Sequence, residues 1–287
     1  MNEPPMVTVV TTLFNGRRWL REALESALGQ SHPAVEVVVV DDGSTDGGAE
    51  LARGLGVRVI SQANAGVAAA RNRGIEVARG DFVVFLDQDD RLLPRAIEAH
   101  LETLRARPEV GWVVGRLRRI DAQGRPRGEE EAAPGGPLDT LSLLRGRSRC
   151  GGTPGRALFP RALLRAVGGF DARHAPADDY DLFLKVSRRA PGAWVDEVVI
   201  EYRRHDANVS NQAARTLRAT LGVLAAHGVG GGLEVAAACA EGRAHWRRVF
   251  APSLVSELRA AVRRGEGLRG FRAAAAWIGG VLAARRA

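Results

Sequence analysis

Cysteine is scarce in this chain of 287 residues, because Cys150 and Cys239 are the only two. Two cysteines give neither a disulfide framework nor the spacing of a zinc site, so we expect both to be structural. Long apolar runs are also missing, since no stretch of about eighteen uncharged apolar residues occurs. No signal-like segment precedes the strand-like residues 6–10. The sequence therefore predicts a cytoplasmic protein that does not span a membrane.

Lysine is almost absent, because Lys185 is the only one among 41 basic residues. Residues 1–210 hold 29 basic and 29 acidic side chains, whereas residues 211–287 hold 12 arginines and 4 glutamates. The whole net charge of +8 therefore lies in the last part of the chain. Since the front part is balanced, the basic composition alone does not indicate a nucleic-acid partner, and we expect none.

The first ninety residues alternate between strand and helix patterns. Apolar or β-branched runs predict strands at residues 6–12, 35–40, 57–60 and 82–86. Helical patterns lie between them, up to residue 28, at 46–55 and at 65–78. This alternation predicts an α/β fold with a mainly parallel sheet flanked by helices. Open sheets of this kind bind ligands outside the carboxyl ends of their strands.

Polar residues follow each predicted strand, at residues 12–15, 41–44, 64 and 87–90. We therefore expect them to meet at one edge of the sheet. Neither a dinucleotide fingerprint nor a phosphate-binding P-loop follows the first strand. The phosphates of any nucleotide bound here would be held mainly by a metal ion and side chains.

Three carboxylates, Asp87, Asp89 and Asp90, follow the buried strand at residues 82–86. Their mutual repulsion is relieved by a cation, and a hard divalent ion prefers oxygen ligands of this kind. The alternative is a solvated turn in which Asp90 caps the next helix.

Four stretches, taken together and in this order, resemble the donor-binding half of the family 2 inverting glycosyltransferases, which have the Rossmann-like GT-A fold. They are Thr12-Leu13-Phe14-Asn15, residues 38–46, residues 64–72 and residues 85–90. The resemblance implies a metal-dependent transferase of surface glycan or polysaccharide synthesis. It would move a sugar from a nucleoside diphosphate sugar, with UDP as the expected nucleotide, to the hydroxyl of a glycan or lipid-linked acceptor. A catalytically silent nucleotide-sugar-binding protein is the alternative.

The resemblance also assigns residues to roles. The donor would be held by Thr12, Phe14, Asp42, Arg71, Asp87 and Gln88. Asp42 would accept a hydrogen bond from the base, and Asp89 would ligate Mn²⁺ or Mg²⁺. Arg71 is placed on the diphosphate, because two helical turns after Asn64 return it to the same edge; an exposed helix charge is the alternative. Asp41 is expected to form a turn and Asn64 to cap a helix.

The second half carries two further motifs. Gly168-Gly169-Phe170-Asp171 precedes Asp178-Asp179 at a predicted helix start, where the family usually has Glu-Asp. The second carboxylate, Asp179, would be the general base, although both could be helix N-terminal charges. After a predicted strand at residues 194–202, His205 matches the family histidine that reaches the metal or the leaving diphosphate.

We predict a transferase domain at residues 1–210, with a donor half (1–107) and an acceptor and catalytic half (108–210). Residues 211–287 would form a helical extension rich in alanine and arginine. Near the end, Leu268, Phe271, Ala275, Ile278 and Leu282 share one helical face. This face would pack on the domain or, alternatively, place the protein peripherally at the inner face of the cell membrane.

Overall fold

The computed structural model describes residues 3–128, 136–148, 153–206, 208 and 212–263. The strands in these ranges are β1 Val7–Leu13, β2 Val35–Asp41, β3 Arg58–Ser61, β4 Phe82–Asp87, β5 Arg91–Leu92, β6 Trp112–Ile120, β7 Ala157–Pro160 and β8 Gly192–Arg203. The helices are α1 Arg17–Leu28, α2 Gly48–Gly54, α3 Val67–Val77, α4 Ala96–Ala106, α5 Thr140–Leu144, α6 Arg161–Ala166, α7 Asp178–Ser187, α8 Ala213–Gly228 and α9 Gly232–Arg263.

The strands form one eight-stranded sheet in the order β3-β2-β1-β4-β7-β6-β8-β5. The first four pair in parallel, as the alternating pattern predicts, and β6 also runs parallel to β8. β7 pairs antiparallel with β4 and β6, and β5 pairs antiparallel with β8. The predicted α/β fold with a mainly parallel sheet is confirmed. Neither β5 nor β7 is among the predicted strands: β5 has only two residues, and the four residues of β7 lie outside the alternating strand and helix pattern of the first ninety residues.

Helices cover both faces of the sheet, so β4 is buried on both sides. Val83 and Phe85 belong to one apolar core, and Val84 and Leu86 belong to the core on the opposite face. This two-sided burial explains why the strand is a continuous apolar run rather than an alternating one.

The helices α8 and α9 form a hairpin around residues 228–232. Val223 and Leu224 of α8 and Ala238 and Cys239 of α9 belong to the same core as α5 and α7. The predicted helical extension is confirmed for its described part, and Cys239 is a buried core thiol. Cys150 and the predicted face at residues 268–282 lie outside the described residues. Within the described ranges, no helix is long and apolar enough to cross a bilayer.

A buried ionic contact fastens the hairpin to α7. The Asp181 carboxylate accepts from His227 Nε2 of α8 at 2.8 Å, and Lys185 Nζ lies 2.6 Å from its other oxygen. Burial alone would raise the pKa of Asp181, but the contacts with His227 and Lys185 outweigh it and hold this pKa below its usual value. The contact between Asp181 and His227 thus fixes α7, which begins with Asp178 and Asp179, against α8.

Candidate active site

The predicted donor residues meet at the carboxyl ends of β1, β2 and β4. The register places Thr12 beside Val40 of β2 and Asp87 of β4, while Asp42 directly follows β2. The parallel sheet therefore brings side chains from three separate stretches to one edge, which confirms the predicted convergence.

Asp42 is buried and already makes three hydrogen bonds within the chain. Its Oδ1 accepts from Gln62 Nε2 and Ala65 N, and its Oδ2 accepts from Gly66 N, all at 2.8 Å. These bonds fold the loop before α3 over the carboxylate, and Gly66 rather than Asn64 is the N-cap residue of that helix. The prediction that Asn64 caps this helix is wrong. The Asp42 carboxylate binds the backbone N–H groups of Ala65 and Gly66, so the helix begins after Gly66. Contact of Asp42 with a base remains a prediction.

Asp41 turns the chain after β2, as expected, by accepting from Ser44 N at 2.9 Å. Nearby, Gln88 fixes the backbone of Phe14: its Oε1 accepts from Phe14 N at 2.8 Å, and its Nε2 donates to Phe14 O at 3.2 Å. A Cβ on Gly16 would overlap the Gln88 amide, so this pair of hydrogen bonds requires glycine at position 16. Phe14 is left 48% exposed at the edge of the site. Gln88 thus positions an aromatic surface on which a base can stack.

Arg71 lies buried between the two halves of the site. Its Nη2 donates to Asp87 at 2.8 Å and its Nη1 donates to Asp178 at 3.0 Å. Burial lowers the pKa of this guanidinium, but the charges of Asp87 and Asp178 outweigh burial and raise the pKa above its usual value. The alternative of an exposed helix charge is wrong. Because both terminal nitrogens are engaged, the geometry gives Arg71 a positioning role, and its contact with a diphosphate remains a prediction.

Asp179 stands next to this bridge in the first turn of α7. It is half-buried, and its Oδ1 accepts from Tyr180 N at 2.7 Å. Asp178, in contrast, is buried and paired with Arg71. The two neighbouring carboxylates are therefore not equivalent, since one is engaged in a buried ion pair and the other is partly open to solvent.

The glycine motif before α7 joins it to α3. The side-chain amide of Asn72 exchanges two hydrogen bonds of 2.8 Å with the backbone of Phe170. Gly169 has φ +63°, and a Cβ there would overlap Asn72 Oδ1. The motif therefore fixes where α7 begins relative to the donor edge.

His205 and Asp89 form the second contact across the site. His205 Nε2 lies 2.8 Å from Asp89 Oδ2, and the imidazole stacks on Trp19 with ring centroids 4.3 Å apart. The Trp19 indole N–H donates to Ala122 O at 3.1 Å, which fixes the ring. Sequence reasoning missed Trp19; its position in the first turn after the Thr12–Asn15 loop is the signal that could have found it.

Arg203, also missed as a site residue, is fully buried and fixes the acidic loop, by which we mean residues 87–90 after β4. Its Nε donates to Asp89 O at 2.7 Å, its Nη2 contacts Glu22 at 2.7 Å, and its backbone N–H donates to Asp90 Oδ1 at 2.8 Å. Asp90 is thus turned inward, and α4 has Arg95 as its N-cap residue. The alternative in which Asp90 caps this helix is wrong, because β5 separates the two.

The electrostatics of the acidic loop fit a cation. Burial and the charge of Asp87 raise the pKa of Asp89, and burial together with Asp89 and Asp87 raises that of Asp90. Within the described residues, no three His, Cys, Asp or Glu side chains gather as a metal-binding group. The Asp89 carboxylate and the His205 imidazole are nevertheless suitable ligands for an ion that takes its other ligands from substrate phosphates and water.

Comparison with known proteins identifies the class. A model of the family described as "Glycosyl transferase family 2" matches residues 8–168, so the chain belongs to glycosyltransferase family 2 and is an enzyme of this class. An uncharacterized glycosyltransferase of Rickettsia felis is 30% identical over 219 residues, which cover 72% of this chain and 36% of the relative. Chondroitin synthase of Escherichia coli is 28% identical over 214 residues, covering 72% and 30%. The chain thus spans about a third of the length of these two relatives.

Solved structures show the same fold. The structure of Staphylococcus aureus TarS 1–349 in complex with UDP-GlcNAc has a TM-score of 0.65 at 18% identity, covering 87% of this chain and 71% of that one. The mannosyltransferase PcManGT from Pyrobaculum calidifontis, in complex with GDP-Man and Mn²⁺, has a TM-score of 0.64 at 24% identity, covering 97% and 80%. The predicted GT-A fold is confirmed.

Proposed function

We propose that the enzyme transfers a sugar from a nucleoside diphosphate sugar, with UDP as the nucleotide, to an acceptor hydroxyl with inversion. The observation that carries this proposal is the Asp87–Arg71–Asp178 bridge, which joins the donor edge to the helix bearing Asp179. The complexes of TarS with UDP-GlcNAc and of PcManGT with GDP-Man support a nucleotide-sugar donor. We place the acceptor among glycans or lipid-linked glycans of surface polysaccharide synthesis.

The donor half would bind and orient the nucleotide. Phe14 offers its exposed ring to the base, while Thr12, Asp42 and Asp87 line the strand ends beside it. Gln88 and Arg71 position these groups through the contacts described above. Because Asp42 is covered by its own loop, base binding would require that loop to move.

Asp179 would act as the general base. It takes the proton of the acceptor hydroxyl while the acceptor oxygen bonds to the anomeric carbon and the bond from that carbon to the diphosphate oxygen breaks. One displacement of this kind inverts the configuration and needs no covalent nucleophile. Asp89 and His205 would hold a divalent ion, Mn²⁺ or Mg²⁺, that neutralises charge on the departing diphosphate.

A thermal-shift panel tests the donor and the metal together. Nucleoside diphosphates and their sugars are added with Mn²⁺ or with EDTA to the wild type, to Asp89→Asn and to a control, Asp196→Asn, whose side chain is 79% exposed. We expect stabilisation by UDP and a UDP-sugar that requires Mn²⁺, is lost in Asp89→Asn and persists in the control.

Four outcomes contradict separate parts of the proposal. Equal stabilisation in EDTA would contradict the need for a metal ion. Stabilisation by another nucleoside diphosphate alone would contradict UDP as the nucleotide, and the absence of any shift would contradict a nucleoside diphosphate sugar as the donor. Donor binding without transfer to any acceptor or hydrolysis would instead favour a catalytically silent binding protein.

A further inference from the structure

Three exposed arginines of α9 have no acidic partner among the described residues, in contrast to three arginines of the first three helices. On the first three helices, Arg21, Arg53 and Arg73 each pair with a glutamate three or four residues away. On α9, Arg248, Arg259 and Arg263 are exposed and make no ion pair with any described residue. The positive charge of these three arginines is therefore not neutralised by any acidic side chain that the structure describes.

The one acid in the second half of α9 is turned away from these arginines. Between Gly242 and Arg263 only Glu257 is acidic, and its carboxylate accepts from the backbone N–H groups of Ala213 and Ala214. It thereby satisfies donors at the N-terminus of α8, where a negative charge is favourable. The exposed side of α9 over this stretch consequently carries no acid.

The same side of α9 carries exposed apolar residues. Positions 248, 252, 255, 259 and 262 follow a spacing of four and three, which places them on one stripe. Val255 and Val262 in this stripe are 36% and 57% exposed, and Val249 at its border is 49% exposed. The stripe is about 20 Å long at a rise of about 1.5 Å per residue. We call residues 248–263 on this side the α9 face.

We propose that the α9 face is a docking surface for an anionic lipid bilayer. Arginines attract anionic headgroups, while the exposed valines gain from shallow burial at the interface. A soluble polyanion would match only the arginines, and single-stranded nucleic acid would also need aromatic stacking residues. A second copy of the chain would bring the same arginines against each other. The observations thus favour the bilayer, and this inference is independent of the transferred sugar.

Vesicle co-sedimentation tests the proposal with the full chain. The variant R248Q/R259Q/R263Q is compared with R21Q/R53Q/R73Q, which also loses three positive charges but at positions outside the α9 face. Vesicles contain phosphatidylcholine with or without phosphatidylglycerol, at low and high salt. Each arginine near an anionic surface changes partitioning roughly fivefold. We expect the α9 variant to bind anionic vesicles about 100-fold more weakly, the control to bind nearly as well as the wild type, and high salt to release both.

Several results would overturn this assignment. One is absence of wild-type binding to anionic vesicles at low salt when the protein is folded and monodisperse. Another is equal loss in both variants, which would indicate net charge alone. Soluble polyphosphate and light scattering serve as further arms: loss of polyphosphate binding or of a dimer in the α9 variant, with vesicle binding intact, would assign the face to those partners. Thermal melting of each variant confirms that it is folded.

Discussion

In the sheet region the Arg71 guanidinium is buried between two carboxylates, whereas Arg248, Arg259 and Arg263 on the α9 face project into solvent without an acidic partner among the described residues. A buried charge must be paired, because desolvation is costly, and the pair then fixes geometry. An exposed and unpaired charge fixes nothing within the chain and is available to another molecule. The two regions therefore use arginine for separate purposes: Arg71 positions groups within the site, and the arginines of the α9 face attract anions at the surface.

The largest effect should come from the carboxylate that the bridge positions. Asp179→Asn should lower the rate of transfer or donor hydrolysis by about 10²–10⁴, with donor affinity little changed, as expected for loss of a general base. Asp178→Asn, which disturbs the Arg71 pair instead, should mainly reduce thermal stability. If Asp178→Asn lowers the rate more than Asp179→Asn does, the assignment of the base is wrong.

The bridge itself can be broken at its centre. Arg71→Met removes the counter-charge from Asp87 and Asp178, and we expect a loss of roughly 3–5 kcal/mol in the free energy of unfolding. Arg73→Met serves as a control on the same helix, because its pair with Glu76 is largely exposed. That control should cost less than about 1 kcal/mol in chemical denaturation. Similar losses in both variants would show that the bridge does not stabilise the fold.

The buried imidazole of His100 tests the cost of burying an unpaired charge through the pH dependence of stability. Burial lowers the pKa of His100 from 6.5 to about 4, and its Nε2 contacts Arg156 O at 3.1 Å. Because the folded pKa is depressed, the unfolded chain binds the proton first. This contribution to stability is complete above pH 6.5 and is lost as pH falls towards 4.

The loss amounts to roughly 3 kcal/mol over this window. His100→Gln keeps a hydrogen-bond donor but cannot take up the charge. Denaturation midpoints measured between pH 7 and pH 4 should therefore fall less steeply for His100→Gln than for the wild type. Parallel pH profiles would contradict the prediction.

The smallest effect on folding is expected on the α9 face. Arg248→Gln should leave the free energy of unfolding unchanged within about 0.5 kcal/mol, because Arg248 has no ion-pair partner among the described residues. The same variant should weaken binding to anionic vesicles measurably. A clear loss of stability would mean that the charge does serve the fold and that the comparison between the two regions fails.

Local pattern was enough to predict the sheet edge but not the partners across it. The apolar run of β4 and the polar residues after each strand are local features, and parallel pairing carries them to one edge. Arg71 and Asp178 are 107 residues apart, and His205 lies far from Trp19 in the chain. No periodicity encodes such pairings. The sequence therefore indicates the base and the metal ligands as hypotheses, whereas the Arg71 bridge and the stacking of His205 on Trp19 are seen only in the folded structure.

The docking of α9 on α5 bears on how this chain can change in evolution. A Cβ on Gly242 would overlap the carbonyl oxygen of Leu144, so even alanine requires the two helices to separate. Leu144 and Tyr180, one residue beyond Asp179, belong to the core that also receives Ala238 and Cys239 of α9. A recombination event that exchanged the α8–α9 hairpin alone would therefore bring a surface against α5 and α7 that does not fit their side chains. We expect the hairpin to be inherited together with α5 and α7.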